Sequence, residues 1–332
     1  MNAVGIQANR PALVLAPMEG VTDAPMRALL TQRGGFTLCV SEFIRISQSL
    51  LPARTYLEHV PELKTGCRTQ AQVPVQIQLL GGDEQRLAKS AVQAVQLGAP
   101  AIDLNFGCPA PTVNRHDGGA SLLRSPERIE RIVSAVRQAV PGEIPVSAKL
   151  RLGWEFPNEI YRTSEAAVKG GASWLTIHAR TKMQGYAPPV FWDFIGEVRR
   201  NVGVPVVANG DIWSFEDFLR CQQKTGCIHF MLGRGALADP SLPLQIATRL
   251  GIKAFQEEDQ QVFGAQPEHW LKLIEQFAEL SLPVSQGRQF TARRVKQWFG
   301  FVGARRAFPW ITDLKRAQDL DQIFHLLQSQ SF

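Results

Sequence analysis

The chain has 332 residues and a formal net charge of +6, with 45% hydrophobic and 20% charged residues. This composition is typical of a soluble globular protein, and no apolar run approaches the roughly 20 residues that a membrane-spanning helix needs. Residues 1–10 lack a secretory signal and the five scattered cysteines lack the spacing of a zinc site, so we expect a cytoplasmic protein with reduced thiols and no metal ion.

Short runs of branched apolar residues alternate with helical patterns over the first two thirds of the chain. The expected strands are residues 13–17, 38–43, 75–79, 102–105, 146–150, 174–178, 206–209 and 230–232. The expected helices between them include residues 84–97, 126–140, 164–169 and 215–224. Eight such repeats predict an α/β fold, a closed (β/α)8 TIM barrel, and an open sheet is disfavoured because no phosphate-binding fingerprint follows the first strand.

After Pro240 the strand pattern gives way to amphipathic helical patterns. The expected helices are residues 267–280, 291–302 and 314–328, and an acidic, Gln-rich linker is expected at residues 256–266. We therefore divide the chain into a barrel domain, residues 1–245, and a small C-terminal all-helical domain, residues 246–332.

The basic residues of the helical domain are concentrated in one segment. Between Arg288 and Arg306 there are six basic residues and no acidic one, and four aromatic residues stand among them. The net basic balance and this cluster are typical of a nucleic-acid-binding surface. They are also compatible with a solvated helix face whose aromatic side chains pack inward, and taken alone the segment favours this second interpretation.

The carboxyl ends of the strands in a parallel barrel meet at one mouth, where chemistry is carried. Cys108 lies in a Gly-Cys-Pro turn directly after the fourth expected strand. A thiol at this place is a candidate acid or nucleophile, and from this segment alone a buried structural cysteine is an equally good interpretation.

Glycine-rich segments after the last two strands, residues 209–211 and 233–235, predict a phosphate site, since backbone amides there can approach a ligand closely. Lys149 interrupts an apolar strand and should therefore face the mouth, where it could stabilise negative charge on a reduced flavin. Gln78 could bond the polar edge of such a ring, and His178 supplies a donor near the phosphate. We therefore expect a phosphate-bearing cofactor.

Six motifs, in chain order and on the expected strand ends, resemble the tRNA-dihydrouridine synthases. They are APMEGVTD at residues 16–23, GCP at 107–109 with GGA at 118–120, KLR at 149–151, HART at 178–181, ANGD at 208–211 and GRG at 233–235. Residues 41–45 and 294–298 look most like the bacterial C branch, which is similar to enzymes that reduce the D-loop uridine at position 16.

The resemblance implies a barrel that binds FMN, a helical domain that binds tRNA, and NADPH as the reductant of the flavin. Hydride would pass from flavin N5 to C6 of the uracil, and Cys108 would be the general acid that protonates C5. The FMN contacts carry over to Pro17, Met18, Glu19, Gln78, Lys149, His178, Asn209, Gly210, Asp211, Gly233 and Arg234. The tRNA contacts carry over to Arg45, Asn105, Arg151, Tyr186, Arg294, Lys296 and Phe301.

Two other functions share parts of this pattern. A small-molecule FMN barrel of the dihydroorotate dehydrogenase type would have the same phosphate site, but it would not need the basic segment. A non-catalytic tRNA-binding protein would keep the barrel as a scaffold and would not need Cys108. A uridine inside folded RNA must leave its stack to reach a barrel mouth, which demands a large RNA contact and favours the synthase. We expect a monomer.

Overall fold

The computed structural model describes residues 4–47, 49–254, 266–283 and 287–329. Within these ranges, nine parallel strand segments form one sheet: β1 (Ala12–Leu15), β2 (Leu38–Val40), β3 (Ile44–Arg45), β4 (Val75–Leu80), β5 (Ile102–Phe106), β6 (Val146–Arg151), β7 (Leu175–His178), β8 (Val206–Asn209) and β9 (His229–Leu232). Pairing runs from β4 through β9 to β1 and β2, and β2 pairs with β4 again. The sheet is therefore closed, and the predicted barrel is confirmed.

The second strand differs from its prediction, because residues 38–43 do not form one continuous strand. The segment pairs with β4 twice, as β2 with Cys39 opposite Val75 and as β3 with Ile44 opposite Leu79. The β2–β3 side has one residue more than β4 between these pairs, which is the geometry of a β-bulge. Ser41 lies in the bulge, and its hydroxyl oxygen accepts a hydrogen bond from the backbone N–H of Gln78 at 3.1 Å.

Helices alternate with the strands and cover the outside of the barrel. They are α1 (Ala24–Gln32), α2 (Ala53–His59), α3 (Glu84–Gln96), α4 (Pro111–Arg115), α5 (Pro126–Ala139), α6 (Ile160–Lys169), α7 (Trp192–Asn201), α8 (Phe215–Thr225), α9 (Arg234–Ala238) and α10 (Leu242–Arg249). Side chains cap several of them: Asp23 accepts from the Met26 N–H, and Ser214 forms a capping box with Asp217. The predicted helices are confirmed, but α6 begins four residues before the predicted start at residue 164.

The C-terminal part is helical, as predicted, with α11 (Pro267–Ser281), α12 (Arg288–Gly303), α13 (Ile311–Arg316) and α14 (Leu320–Ser329). Its aromatic core is continuous with the core of the barrel, and the indole N–H of Trp298 donates to the Leu237 carbonyl at 2.9 Å. The division at residue 245 stays a prediction, and that residue lies inside α10. The predicted linker lies outside the described residues except for Gln266.

The prediction of one helix over residues 314–328 is wrong. The chain leaves the helical conformation at Ala317, where ψ is 140°, and starts again as α14. Asp319 favours this break, because its carboxylate accepts a hydrogen bond from the Gln322 N–H at 2.9 Å and so satisfies a donor of the new first turn. In the part of the chain that the structure describes, no helix is long and apolar enough to cross a membrane.

Substitution by alanine should change the stability of the protein in opposite directions at two helix-interior glycines. A Cβ at Gly300 in α12 would meet nothing within 4 Å, whereas a Cβ at Gly196 in α7 would lie 2.6 Å from the Lys224 carbonyl oxygen. We expect Gly300→Ala to stabilise the protein by about 0.5–1 kcal/mol through helix propensity, and Gly196→Ala to destabilise it by about 1–3 kcal/mol through overpacking. Thermal unfolding of the two variants measures both signs, and shifts of the same sign would contradict this packing.

Candidate active site at the barrel mouth

A cavity of about 580 Å³ opens at the carboxyl ends of the strands. Its size falls within the range of small-molecule sites, about 300–1,000 Å³. The loops after β1, β5, β6, β7, β8 and β9 contribute to it, together with one side chain of α12. The predicted site residues that line it are Pro17, Met18, Glu19, Asn105, Cys108, Lys149, Arg151, His178, Tyr186, Asn209, Gly210, Asp211, Gly233, Arg234 and Phe301.

Four predicted site residues do not line the cavity. Gln78 is fully buried beneath it, between Asp103 and Asn105. Arg45 ends β3 and donates to the Thr112 carbonyl at 3.3 Å, and Lys296 donates to the Ala317 carbonyl at 3.0 Å. The fourth residue, Arg294 of α12, is buried where that helix packs against the barrel.

Arg294 connects α12 to the loop that follows β1. It is only 7% exposed, it pairs with Asp23 at 3.0 Å, and it donates to the Val21 carbonyl at 2.6 Å and to the Gly20 carbonyl. This loop also carries Met18, which lines the cavity. The predicted tRNA contact by Arg294 is not tested by these contacts and stays a prediction, but its guanidinium binds groups of the protein itself.

The aromatic residues of the basic segment also have a structural role. Trp298 and Phe299 are at most 1% exposed, and the Trp298 ring lies edge-on to Trp270 with centroids 6.0 Å apart. The inward-packing interpretation is therefore correct for these two rings. Phe301 differs, because it is half-buried and lines the cavity.

A hydrogen-bonded network lies under the cavity floor, in the interior of the barrel. The Asp103 carboxylate accepts from Gln78 at 2.7 Å and from the Ser147 hydroxyl. The Asn105 side-chain amide donates to Gln78 Oε1 at 2.8 Å. Asn105 Oδ1 accepts from the backbone N–H groups of Gly107 and Cys108 at 2.9 Å each. The network therefore links a buried acid to the backbone of the Gly-Cys-Pro turn.

Two side chains of opposite charge, Asp103 of β5 and Lys149 of β6, interact at this level of the barrel. Burial raises the pKa of Asp103 to about 6, and hydrogen bonds from Ser147 and Gln78 and the charge of Lys149 limit the rise. Burial lowers the pKa of Lys149 to about 8, and nearby Arg151 lowers it further. The positive charge of Lys149 opposes the rise for Asp103, and the negative charge of Asp103 opposes the fall for Lys149. Lys149 Nζ donates to Asn209 Oδ1 at 3.3 Å.

The loops after β7, β8 and β9 place several cations around the other side of the cavity. Asp211 binds Arg180 and, at 2.9 Å, Arg234, and these partners lower the pKa of its carboxyl even though burial opposes the shift. His178 is buried among cations, so its pKa lies well below its usual value and the ring is neutral. Its Nδ1 is buried and has no hydrogen-bond partner in the described part of the protein. Gly210 and Gly233 present only backbone to the cavity.

The sequence of the chain matches a known family. Residues 14–327 match the family model described as Dihydrouridine synthase (Dus). The chain belongs to the dihydrouridine synthase family. Similar proteins named tRNA-dihydrouridine(16) synthase occur in Ralstonia nicotianae (44% identical, 95% of both chains), Aquipseudomonas alcaligenes (43%, 95% of this chain and 98% of that one) and Neisseria meningitidis serogroup A (41%, 96% and 95%).

The residues of this synthase fit a flavin mononucleotide. Such a ligand needs an anion site at one end and donors along a planar ring, and the cavity has Arg234 and two bare glycines at the loops of β8 and β9. The unpartnered His178 Nδ1 is a buried polar atom that a ligand would satisfy. Among the described residues no group of three or more His, Cys, Asp or Glu side chains could hold a metal ion.

Cys108 is held at the cavity by both its backbone and its surroundings. The Arg151 Nε donates to the Gly107 carbonyl at 2.8 Å. Gly119, at φ +60°, packs so closely that a Cβ there would be 2.9 Å from the Cys108 carbonyl oxygen. Burial raises the pKa of the Cys108 thiol, the Glu19 carboxylate adds to the rise, and a hydrogen bond from the Ala110 backbone opposes it. The thiol therefore keeps its proton at neutral pH and can act as an acid.

Sequence reasoning missed two residues of this site, Asp103 and Trp213. Asp103 carries the same signal that identified Lys149, a charged side chain inside an apolar strand, and could have been found by it. Trp213 gave no such signal, because only the folded loop brings its ring to the cavity.

The thiol pKa can be measured by alkylation. We expect iodoacetamide to modify Cys108 selectively, because the other four cysteines are at most 2% exposed. The rate should rise with pH with a midpoint above that of free cysteine, about 8.5, and Glu19→Gln should lower the midpoint because it removes a nearby negative charge. Cys108→Ala is the control for selectivity. A midpoint below 8 would mean a thiolate at neutral pH and would contradict this description.

Proposed function

We propose that this protein reduces the C5=C6 bond of a uridine in tRNA to 5,6-dihydrouridine, with bound FMN and with NADPH as the reductant. The observation that carries the proposal is the position of the Cys108 thiol at the mouth of a cationic barrel cavity, in a chain that matches the dihydrouridine synthase model from residue 14 to residue 327. The names of the similar proteins support tRNA as the substrate.

The cofactor is proposed from the family and from the fit of the cavity. FMN, reduced by NADPH, would supply a hydride from its N5 to C6 of the uracil. Lys149, His178, Gly233 and Arg234 are the residues best able to hold it, because they bring cations, a buried ring nitrogen without a partner among the described residues, and backbone without a side chain to the cavity. The cationic surroundings suit an anionic group. The predicted role of Gln78 as a ring contact would require its amide to reach past Asn105, which lies between it and the Cys108 turn.

The proton is the part of the reaction that the chain itself provides. Cys108 Sγ would donate to C5 of the base, and its raised pKa keeps that proton in place between turnovers. Asn105 and Arg151 hold the turn from both sides through the Gly107 and Cys108 backbone. Tyr186 is 55% exposed at the cavity rim, where a flipped nucleotide would enter.

We propose position 16 of the D-loop as the target, on the basis of the similar proteins' names and of residues 41–45 and 294–298. Arg45, Asn105, Arg151, Tyr186, Lys296 and Phe301 remain proposed tRNA contacts. Arg294 would act through the loop it holds. The cytoplasmic location and the monomeric state stay predictions.

The role of Cys108 can be tested with one substitution. Cys108→Ala should keep its flavin absorption bands and its tRNA affinity, because the side chain makes no ion pair, but should lose about 10²- to 10⁴-fold in dihydrouridine formation. The assay is mass spectrometry of tRNA after single turnover, and NADPH-driven flavin reduction in the same sample is the control. Full turnover by the variant would exclude the acid role. A protein that oxidises free dihydroorotate and ignores tRNA would favour a small-molecule flavoenzyme, and a protein that binds tRNA without flavin bands would favour a non-catalytic tRNA-binding protein.

The target position needs a separate experiment. Unmodified tRNA transcripts with uridine at position 16 should gain one dihydrouridine there, and transcripts with cytidine at that position should gain none. Sequencing that detects dihydrouridine reads the position directly. Modification of another D-loop uridine in both transcripts would contradict the assignment to position 16 and leave the reaction itself intact.

A further inference from the structure

Arginine and aromatic side chains alternate across the rim of the cavity. The guanidinium of Arg151 lies 5.2 Å from the centroid of the Tyr186 ring, and that of Arg234 lies 4.5 Å from the same ring. Arg234 also lies 4.8 Å from the ring of Trp213, and Arg305 lies 4.2 Å from that ring. All four distances are within the range of cation–π attraction, about 6 Å. The series starts in the barrel and ends just after α12, in the helical part.

The first two arginines of this series are already bound within the protein. Arg151 donates to the carbonyls of Gly107, Thr181 and Gly185 at 2.7 to 3.0 Å. Arg234 is paired with Asp211 at 2.9 Å. Their charges contribute to the potential of the cavity, but most of their donors are not free for a ligand outside it.

Arg305 differs from its neighbours in the basic segment. Arg294 is paired with Asp23, Arg306 with Asp239 at 2.6 Å, and Arg288 with Asp321 at 2.5 Å. The side chain of Arg305 is exposed and makes no hydrogen bond or ion pair within the described ranges of the chain; its close contact is with the Trp213 ring. A guanidinium held by an aromatic ring keeps all five donors for a ligand and is fixed in position.

The size of the positive surface points to a polyanion. Of the six basic residues from Arg288 to Arg306, Arg293, Lys296 and Arg305 have no carboxylate partner among the described residues, and α12 with its 16 residues is about 24 Å long. The exposed Arg293 extends the positive charge along the helix, away from the cavity. A dinucleotide reductant would need only the cavity mouth, whereas an RNA strand would follow both the mouth and the helix.

We propose that Arg305 binds a phosphate of the RNA backbone next to the extruded uridine, and that Trp213 is the positioning residue that holds the guanidinium at the cavity rim. This inference rests on the proposed function. A phosphate fixed there, beside the opening through which the base must enter, would help to set the register of the RNA on the barrel, which backbone contacts do in general.

The inference predicts distinct changes in affinity and in salt dependence. Arg305→Ala should weaken binding of an unmodified tRNA transcript about tenfold at low salt and should reduce the slope of log Kd against log[KCl] by about 0.9, one phosphate contact. Trp213→Leu should weaken binding with the slope kept, because the charge remains but is no longer held. Arg305→Lys should also keep the slope. The control for net charge is Arg131→Ala, which removes an arginine of barrel helix α5 that is 57% exposed and pairs with Glu84 at 3.5 Å.

Fluorescence anisotropy measures the affinities, and thermal unfolding checks that each variant folds. An unchanged slope in Arg305→Ala, with tRNA still bound by the unsubstituted protein, would overturn this inference alone. A slope change of equal size in Arg131→Ala would overturn it too, because the effect would then be one of net charge. Slower NADPH-driven flavin reduction in Arg305→Ala, with tRNA affinity unchanged, would assign the rim to the dinucleotide. If the unsubstituted protein does not bind tRNA, the proposed function itself fails.

Discussion

The interaction of opposite charges at the floor of the cavity is the constraint on which the site depends. Asp103 is buried below the cavity and Lys149 lines it, and the two charges interact where an unpaired charge would be strongly unfavourable. Hydrogen bonds stabilise the pair: Asp103 is bound by Gln78 and Ser147, and Lys149 by Asn209. These three partners lie on three different strands, β4, β6 and β8. The closed barrel therefore fixes the floor of the cavity, and the turn of Cys108 is built on that floor.

The helical part contributes to the site as well as to the surface. Arg294 of α12 holds the loop after β1 by its backbone carbonyls, and Trp298 holds the Leu237 carbonyl, two residues after Gly235 at the cavity edge. Removal of the helices would thus release two walls of the cavity and expose a large aromatic core. Point substitutions at exposed positions separate RNA binding from folding better than a truncation does.

The sequence was sufficient for the architecture and for most cavity residues, because strand periodicity and strand-end polarity are local signals. The pattern predicts eight strands and places Cys108, Lys149 and Arg234 at one mouth, and all three residues line the cavity in the structure. It could not predict the bulge at Ser41, which involves a hydrogen bond to Gln78 on another strand. It missed the break at Ala317, although Asp319 is a local helix-capping signal for the new start. It also could not say which arginines are bound within the protein, since Asp23 lies 271 positions before Arg294.

The difference between arginines bound within the protein and arginines exposed to solvent changes the interpretation of the basic segment. A count of charges suggests one uniform nucleic-acid surface, but the structure divides it into cations that neutralise buried or nearby carboxylates and cations that face solvent. A cation of the first kind holds the two parts of the protein together and costs stability when it is removed. A cation of the second kind contributes little to folding and is available to a phosphate. Arg294 and Arg305 stand 11 residues apart in the sequence and belong to opposite kinds. Position in the sequence therefore does not predict which arginine an RNA would contact. The contact of Arg305 with the Trp213 ring of the barrel is the better indicator.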